Sequence, residues 1–362
     1  MGKFVNTGIR IEAIATVVPN NYYGHEKNVQ MFGEETVDKF EKITNIFATY
    51  KVSKHQTVSD LGYVAAVEII NKLKLNKHDI GVLVFASPAP DYIQPPTACV
   101  LQYRLGLPND CAALDITHGC SSFPYGSQVV YSMMASSDCR YGLLIVGDSN
   151  SKNVNQKDNS YMLCSDAASA ILFIRDSDAV NKTMLKTDGS RYKDIIIPGR
   201  GMRDLNPIDS EVVCSDGVSR SKYNWYMNGM NVFVFATRDV PKAVKEYLEW
   251  TDTDFEKYDA IAFHQANGII IDRLVKTLKL KEEKVPNVIH DYGNTGGNSL
   301  LLALCEKYGN IELNKTIEVL GVAFGVGLSL GVTSFSINID NIFPIIKTDN
   351  QFDDGIIELE DL

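Results

Sequence analysis

Along the chain, short unbroken apolar runs alternate with stretches in which apolar residues recur every three to four positions. "GVLVFA", "CAALDI", "YGLLIVGD", "AASAILFI", "AIAF", "TIEVLGVAFG" and "LSLGVTSFSI" have the length and composition of buried strands. "GYVAAVEIINKL", "TACVLQYRLGL", "SFPYGSQVVYSMM", "VPKAVKEYLEW", "IIIDRLVKTLKL" and "NSLLLALCEKYG" carry helical spacing instead. Strands apolar on both faces, separated by amphipathic helices, predict an α/β protein whose mostly parallel sheets are covered by helices.

These elements recur in the same order. The first series ends with the corner "LDITHGCSSFPYG" and two further strands; the second ends with "VIHDYGNTGGNSLLLAL" and two further strands. The order predicts two duplicated halves, residues 1–178 and 221–340, with two similar sheets packed through shared helices. Residues 179–220 form a connecting insertion, rich in Gly, Pro and Asp from 186 onward, expected to cover one end of the sheets. Residues 341–362 are an acidic tail, expected to fray or to pack on the surface.

Composition removes several classes. A chain of 362 residues with 45% hydrophobic content is globular and large enough for two cores. Its net charge of −10, without clustered Lys and Arg, argues against a nucleic-acid surface. No run reaches the roughly 18 apolar residues of a membrane span, and no signal-peptide core is evident, so a soluble cytoplasmic protein is expected. Its seven cysteines are scattered, with no C-x-x-C pair, which predicts free thiols and neither a disulfide framework nor a zinc site.

Cys120 stands where a strand hands over to a helix, beyond the carboxyl end of the strand, where sheets of this kind bind ligands. A helix N-terminus stabilises a thiolate and lowers the thiol pKa, as a nucleophile requires. Gly119 permits the sharp turn before it, and Gly126 lets a neighbouring element approach the helix. Cys99, Cys111, Cys139, Cys164, Cys214 and Cys305 read as small buried hydrophobes. His264 follows the strand "AIAF", where a satisfied core histidine is the commoner occupant. Asn294 lies in the glycine-rich "DYGNTGGNS", which also reads as a turn and helix cap. Cys120 and Asn294 occupy corresponding corners of the two halves, so Cys, His and Asn are expected to converge. "GVAFGVGLSLG" departs from the dinucleotide spacing and fits a tight turn presenting backbone N–H groups. No second ligand cluster supports a metal at His118-Gly119-Cys120.

Taken together, "PPTACVLQYRLGL", "DITHGCSSFPYG", "SDAASAILF", "MNGMNVFVFATRDVP", "AFHQAN" and "YGNTGGNS" resemble the β-ketoacyl-acyl-carrier-protein synthase III family of the thiolase superfamily, over nearly the whole chain. The resemblance implies a five-layered αβαβα sandwich of two duplicated halves. It also implies a decarboxylative Claisen condensation in fatty acid or related acyl-chain biosynthesis. Cys120 would take up the acyl group from a thioester. His264 and Asn294 would stabilise the enolate formed from malonyl-acyl carrier protein, and the N–H groups of Cys120 and Val326 would form the oxyanion hole. Acyl carrier protein is the implied partner, the chain is implied to be a homodimer, and no metal, nucleotide or flavin cofactor is implied. The family's adenine-stacking Trp and a nearby Arg fall in "TVDKFEKITNI", residues 36–46, which has neither, and its Arg after the HQAN motif falls at Ile269. A carrier-bound or other acyl donor thereby gains weight over acyl-CoA. Arg273 and Lys276, one turn apart, offer a basic patch for an acidic carrier, with a solvated helix face as an equal reading. Val326 stands where a smaller residue is usual. Two alternatives remain: an acyltransferase passing the acyl group to an alcohol or amine, with His264 as general base, and a catalytically silent partner subunit. The presence of Cys120, His264 and Asn294 together counts against the second.

Overall fold

The computed structural model describes residues 2–214, 216–358 and 360. Nine strands build one continuous sheet system. In chain order the principal elements are β1 (Gly2–Pro19), α1 (Val58–Lys72), β2 (Ile80–Ala86), α2 (Thr97–Leu105), β3 (Ala112–Ile116), α3 (Ser122–Ala135), β4 (Tyr141–Asp148) and β5 (Ala167–Thr187). After the insertion come α4 (Val240–Thr251), β6 (Ala260–Phe263), α5 (Gly268–Leu278), α6 (Ser299–Tyr308), β7 (Thr316–Gly325), β8 (Ser329–Asn338) and β9 (Ile346–Thr348).

The path runs β6-β7-β8-β5-β4-β2-β3, with β1 beside β5 and β9 beside β1. The expectation of mostly parallel sheets is corrected here. β2 pairs parallel with β3 and β4, β6 with β7 and β1 with β9, but β7–β8, β8–β5, β5–β4 and β5–β1 are antiparallel, so the two kinds are equal in number. Only residues 326–328 separate β7 from β8, too few for the helical crossover a parallel pair needs.

Three apolar clusters define five layers. The inner faces of both sheets close on α3 and α6, where Phe123, Tyr131, Leu300 and Leu304 are at most 1% exposed. Each such side chain contributes roughly 1.5–3 kcal/mol by leaving water. α1 and α2 cover the outer face of the first sheet, and α4 and α5 cover the outer face of the second. This is the predicted αβαβα sandwich. Gly126 makes the expected close approach, since a Cβ there would lie 2.7 Å from Leu144 Cδ1.

Local chemistry sets the helix starts. Thr57 and Asp60 form a capping box on α1, and the Asp115 carboxylate on β3 accepts the N–H groups of Thr97 and Ala98 at 2.7 Å. Arg104 on α2 reaches back to Asp60 at 2.8 Å, with both side chains buried. The acidic tail packs on this surface: Phe352 lies 4.3 Å from the Arg104 guanidinium and Tyr92 donates to the Gly355 carbonyl at 2.7 Å. Leu359, Asp361 and Leu362, the rest of the expected tail, lie outside the described residues.

Two sequence expectations shift. β5 runs through residue 178 to Thr187, so residues 179–187 are sheet rather than insertion. The Asn294 corner differs from that of Cys120 in having no strand before it: Ile289–Tyr292 is a single helical turn, and Asn294 forms an isolated parallel bridge with Cys164.

Candidate active site

Cys120 lies between the end of β3 and Ser121, the N-cap of α3. The backbone groups of Val326 and of Cys120 itself lie close enough to its sulfur to favour the anion. Gly325, with φ +156°, makes the approach possible: a Cβ there would lie 2.6 Å from both Cβ and Sγ of Cys120. The expected depression of the thiol pKa is not found. Removal from water pushes Cys120 up to about 11, with the nearby Asp148 carboxyl adding to the rise and the Val326 and Cys120 backbone opposing it. The resting group is therefore a thiol, with its anion's donors already in place.

His264 follows β6 directly, its N–H bonded to the Val322 carbonyl at 2.8 Å, and is 2% exposed. Its Nδ1 lies 2.7 Å from Ser299 Oγ, which also accepts the Gln265 N–H at 3.0 Å. The Phe324 ring meets the imidazole edge-on at 5.5 Å. Burial lowers the imidazole pKa to about 4, partly opposed by a hydrogen bond with the Gly296 backbone, so the ring is neutral above pH 5.

Asn294 is tied to the same loop. Its Oδ1 accepts the Gly296 N–H at 3.0 Å, and its Nδ2 donates to the carbonyl of Ala266, two residues beyond His264, at 3.4 Å. The Asn294 loop in turn crosses the Cys120 corner, because Gly297 lies against Ser122 and the Gly119 carbonyl. Backbone contacts thus join the Cys120, His264, Asn294 and Val326 segments. Arg273 and Lys276 lie apart from this cluster, exposed on α5.

Sequence reasoning missed the buried polar groups behind the cluster. Asp148 ends β4 at 2% exposure, packed against Gly296, with Oδ2 accepting from Asn150 at 2.8 Å and Oδ1 unpartnered. Lys51, 1% exposed, donates to the carbonyls of Tyr161 and Cys164 at 2.8 and 2.6 Å, and burial lowers its pKa to about 8. It thereby braces the Cys164 segment, which bridges to Asn294 ahead of β5. Neither residue stands in a pattern that marks it, since charged residues in turns are ordinarily solvated.

Burial, together with the Asp166 carboxyl, raises Asp148 to about 8. An unfolded aspartate ionises near 4, so between these values the folded state holds the extra proton and stability falls as pH rises. Asp148→Asn should stabilise the fold by on the order of 2 kcal/mol near pH 9 and have little effect near pH 4. Urea unfolding at the two pH values checks this, and an equal effect at both would refute a native-state neutral acid.

The seven cysteines are free, as expected, but not all are buried: Cys99 is exposed, and Cys120, Cys139 and Cys214 are half-buried. His25, Asp38 and Glu41 lie within 4.8 Å of one another, and His25 Nδ1 is hydrogen-bonded to Glu41 Oε1 at 2.9 Å, a contact that raises the imidazole pKa. A cavity of about 840 Å³ lies in the insertion, lined by Tyr192, Ile196, Ile208, Val212 and Tyr226, and none of Cys120, His264 or Asn294 lines it. Among the described residues, no helix is long and apolar enough to cross a membrane.

The layered duplicated fold and a cysteine under paired backbone donors define the thiolase-type condensing class. Models of the 3-oxoacyl-[acyl-carrier-protein] synthase III family match residues 114–189, and those of its C-terminal part match residues 248–337. A β-ketoacyl-[acyl-carrier-protein] synthase III of Clostridium perfringens is 34% identical over 86% of this chain and 94% of its own length. The crystal structure of a 3-oxoacyl-(acyl-carrier protein) synthase from Burkholderia xenovorans superposes with a TM-score of 0.90 at 28% identity, covering 96% of this chain and 99% of that one. The synthase III of Aquifex aeolicus gives 0.73 at 25% identity, over 90% and 99%. The chain belongs to the β-ketoacyl-acyl-carrier-protein synthase III family and is an acyl-transferring, Claisen-type condensing enzyme.

Proposed function

We propose that this chain condenses a Cys120-bound acyl group with malonyl-acyl carrier protein, with loss of carbon dioxide, in fatty acid or related acyl-chain biosynthesis. The observation that carries the reading is the Cys120 sulfur held by the Val326 and Cys120 backbone, beside loops that fix a neutral histidine and an asparagine amide.

In the first step the Cys120 sulfur attacks a thioester carbonyl, and the two N–H groups receive the oxyanion. The departing thiolate takes up the proton that Cys120 gives up, so the step is balanced. In the second step the malonyl carboxylate leaves as carbon dioxide, and its bonding electrons form an enolate. Neutral His264 and the Asn294 amide donate to that enolate oxygen, and its carbon attacks the acyl-cysteine. The released Cys120 thiolate then takes one proton from water. A histidine of pKa about 4 holds an abstracted proton poorly near neutrality, which favours donation and counts against the general-base acyltransferase.

Acyl carrier protein is the proposed partner. Arg273 and Lys276 are exposed without an ion pair among the described residues, on the helix that opens just after His264. The proposed homodimer is supported by β3, the half-exposed end strand of the sheet, and by Tyr103 at 76% and Ile93 at 80% exposure nearby. A cytoplasmic location is part of the same proposal, and no cofactor is proposed.

The test is intact-protein mass spectrometry after incubation with acyl-CoA and acyl-carrier donors, followed by malonyl-carrier protein. An adduct mapping to Cys120 and discharged as a ketoacyl carrier product is expected, strongest with carrier-bound donors. An adduct discharged by alcohols or amines but inert to malonyl-carrier protein would replace this reading with the acyltransferase.

A further inference from the structure

Val326 is held on both sides of its residue. Its backbone N–H side faces the Cys120 corner, where Gly325 packs on the cysteine sulfur, while its carbonyl ends a chain of side chains that begins at His118. We propose that His118, Ser121 and Ser329 form a directional hydrogen-bond relay that fixes the Val326 turn over Cys120, making His118 a positioning residue for the acyl-transfer step. The inference rests on the reading of Cys120 as the nucleophile.

Counting protons sets the direction. Ser329 Oγ lies 2.5 Å from the Val326 carbonyl, which can only accept, so the single hydroxyl proton of Ser329 is committed there. Ser121 Oγ, 2.6 Å from Ser329 Oγ, must then donate to it. With the Ser121 proton committed in turn, His118 Nδ1 at 3.2 Å is the donor, which assigns the Nδ1–H tautomer. Ser121 and Ser329 are 0% and 1% exposed, so water does not replace these partners, and a fully satisfied buried network of this kind confers rigidity.

The first member is itself fixed. The His118 ring stacks on Tyr125 at 4.2 Å, and the Tyr125 hydroxyl donates to the Lys186 carbonyl at 2.9 Å. Protonating the ring leaves Nδ1–H in place, so the relay works in either charge state. Packing supplies a second hold: a Cβ on Gly119 would lie 3.0 Å from Val326 Cγ2, so the valine side chain rests on the nucleophile's own turn. An oxyanion donor acts only if its position is set before charge develops. The relay sets the position of Val326, whereas His264 and Asn294 are anchored through Ser299, Ala266 and Gly296, outside it.

The experiment measures the rate of Cys120 acylation by intact mass, alongside the pH profile of Cys120 alkylation by iodoacetamide. His118→Phe keeps an aromatic face on Tyr125 and removes the donor, His118→Asn restores an N–H donor, and Ser329→Ala cuts the relay at its far end. His118→Phe should slow acylation about tenfold and move the alkylation profile to higher pH, and His118→Asn should recover most of both. Combining His118→Phe with Ser329→Ala should be no slower than Ser329→Ala alone. Wild-type kinetics in His118→Phe, equal losses in His118→Phe and His118→Asn, or multiplying losses in the double variant would each overturn the relay. Cys120→Ala separates the two failures: absence of a Cys120-dependent adduct in the wild type sinks the nucleophile reading, while a wild-type rate in His118→Phe sinks the relay alone.

Discussion

Replacing His264 by alanine should lower condensation about a thousandfold while leaving acyl uptake by Cys120 within a few-fold of wild type. The split is expected because His264 is anchored through Ser299 and Gln265, while the proposed donors for acyl transfer are the backbone groups of Cys120 and Val326. Burial holds the imidazole pKa near 4, so its working form is the neutral donor. A histidine with a depressed pKa loses its proton as pH passes that value and stays neutral above it. The condensation rate should therefore show no His264 limb from about pH 5 upward. Asn294→Asp should mimic the loss, because a carboxylate oxygen would face the Ala266 carbonyl that the amide now donates to at 3.4 Å. Adduct mass and product formation measured on the same sample check the split. A parallel fall in both would mean that His264 serves the first step as well.

A single methyl group at position 297 should be nearly as damaging, through sterics alone. An alanine Cβ there would lie 1.8 Å from Ser122 Oγ and 2.7 Å from the Gly119 carbonyl. The hydroxyl can rotate, but the carbonyl belongs to the turn that carries Cys120, so the turn itself must move. Gly297→Ala is expected to cost about 3 kcal/mol in stability and more than about a hundredfold in acylation. Adding Ser122→Ala removes the nearer clash and should return part of the stability but little of the acylation. Thermal melting and adduct formation in both variants decide it, and a single variant with wild-type acylation would show that the two loops need not touch.

Much of the site was legible because its signals are local. A strand ending in His118-Gly119-Cys120, a histidine directly after "AIAF", and glycine-rich turns at 293–297 and 325–327 each state their geometry within a few residues. Partners from distant segments left no such mark. Ser299, Asp148 and Lys51 look in sequence like a helix cap and two turn residues, and only the folded chain buries them behind the catalytic loops. The direction of the thiol shift was hidden for a related reason: the helix terminus is visible in sequence, whereas the removal from water that raises the thiol depends on the Val326 turn, which comes from a distant segment. The extent of β5 was hidden by "RDSD" at 175–178, a polar interruption in an apolar run. Those residues mark where the strand leaves β4 and continues to β8.

That crossing strand decides what the duplication means for the whole molecule. β5 gives residues 167–174 to one sheet and 182–187 to the other, and β1 follows it along both. The halves therefore resemble each other without being detachable: separating the chain near 178 would leave each piece with a torn ladder and an uncovered inner face. An ancestral copy able to fold alone would have had to cover that face with a second copy of itself. In the present chain the seam is covalent, and the catalytic loops from the two halves are held in a fixed stoichiometry of one to one.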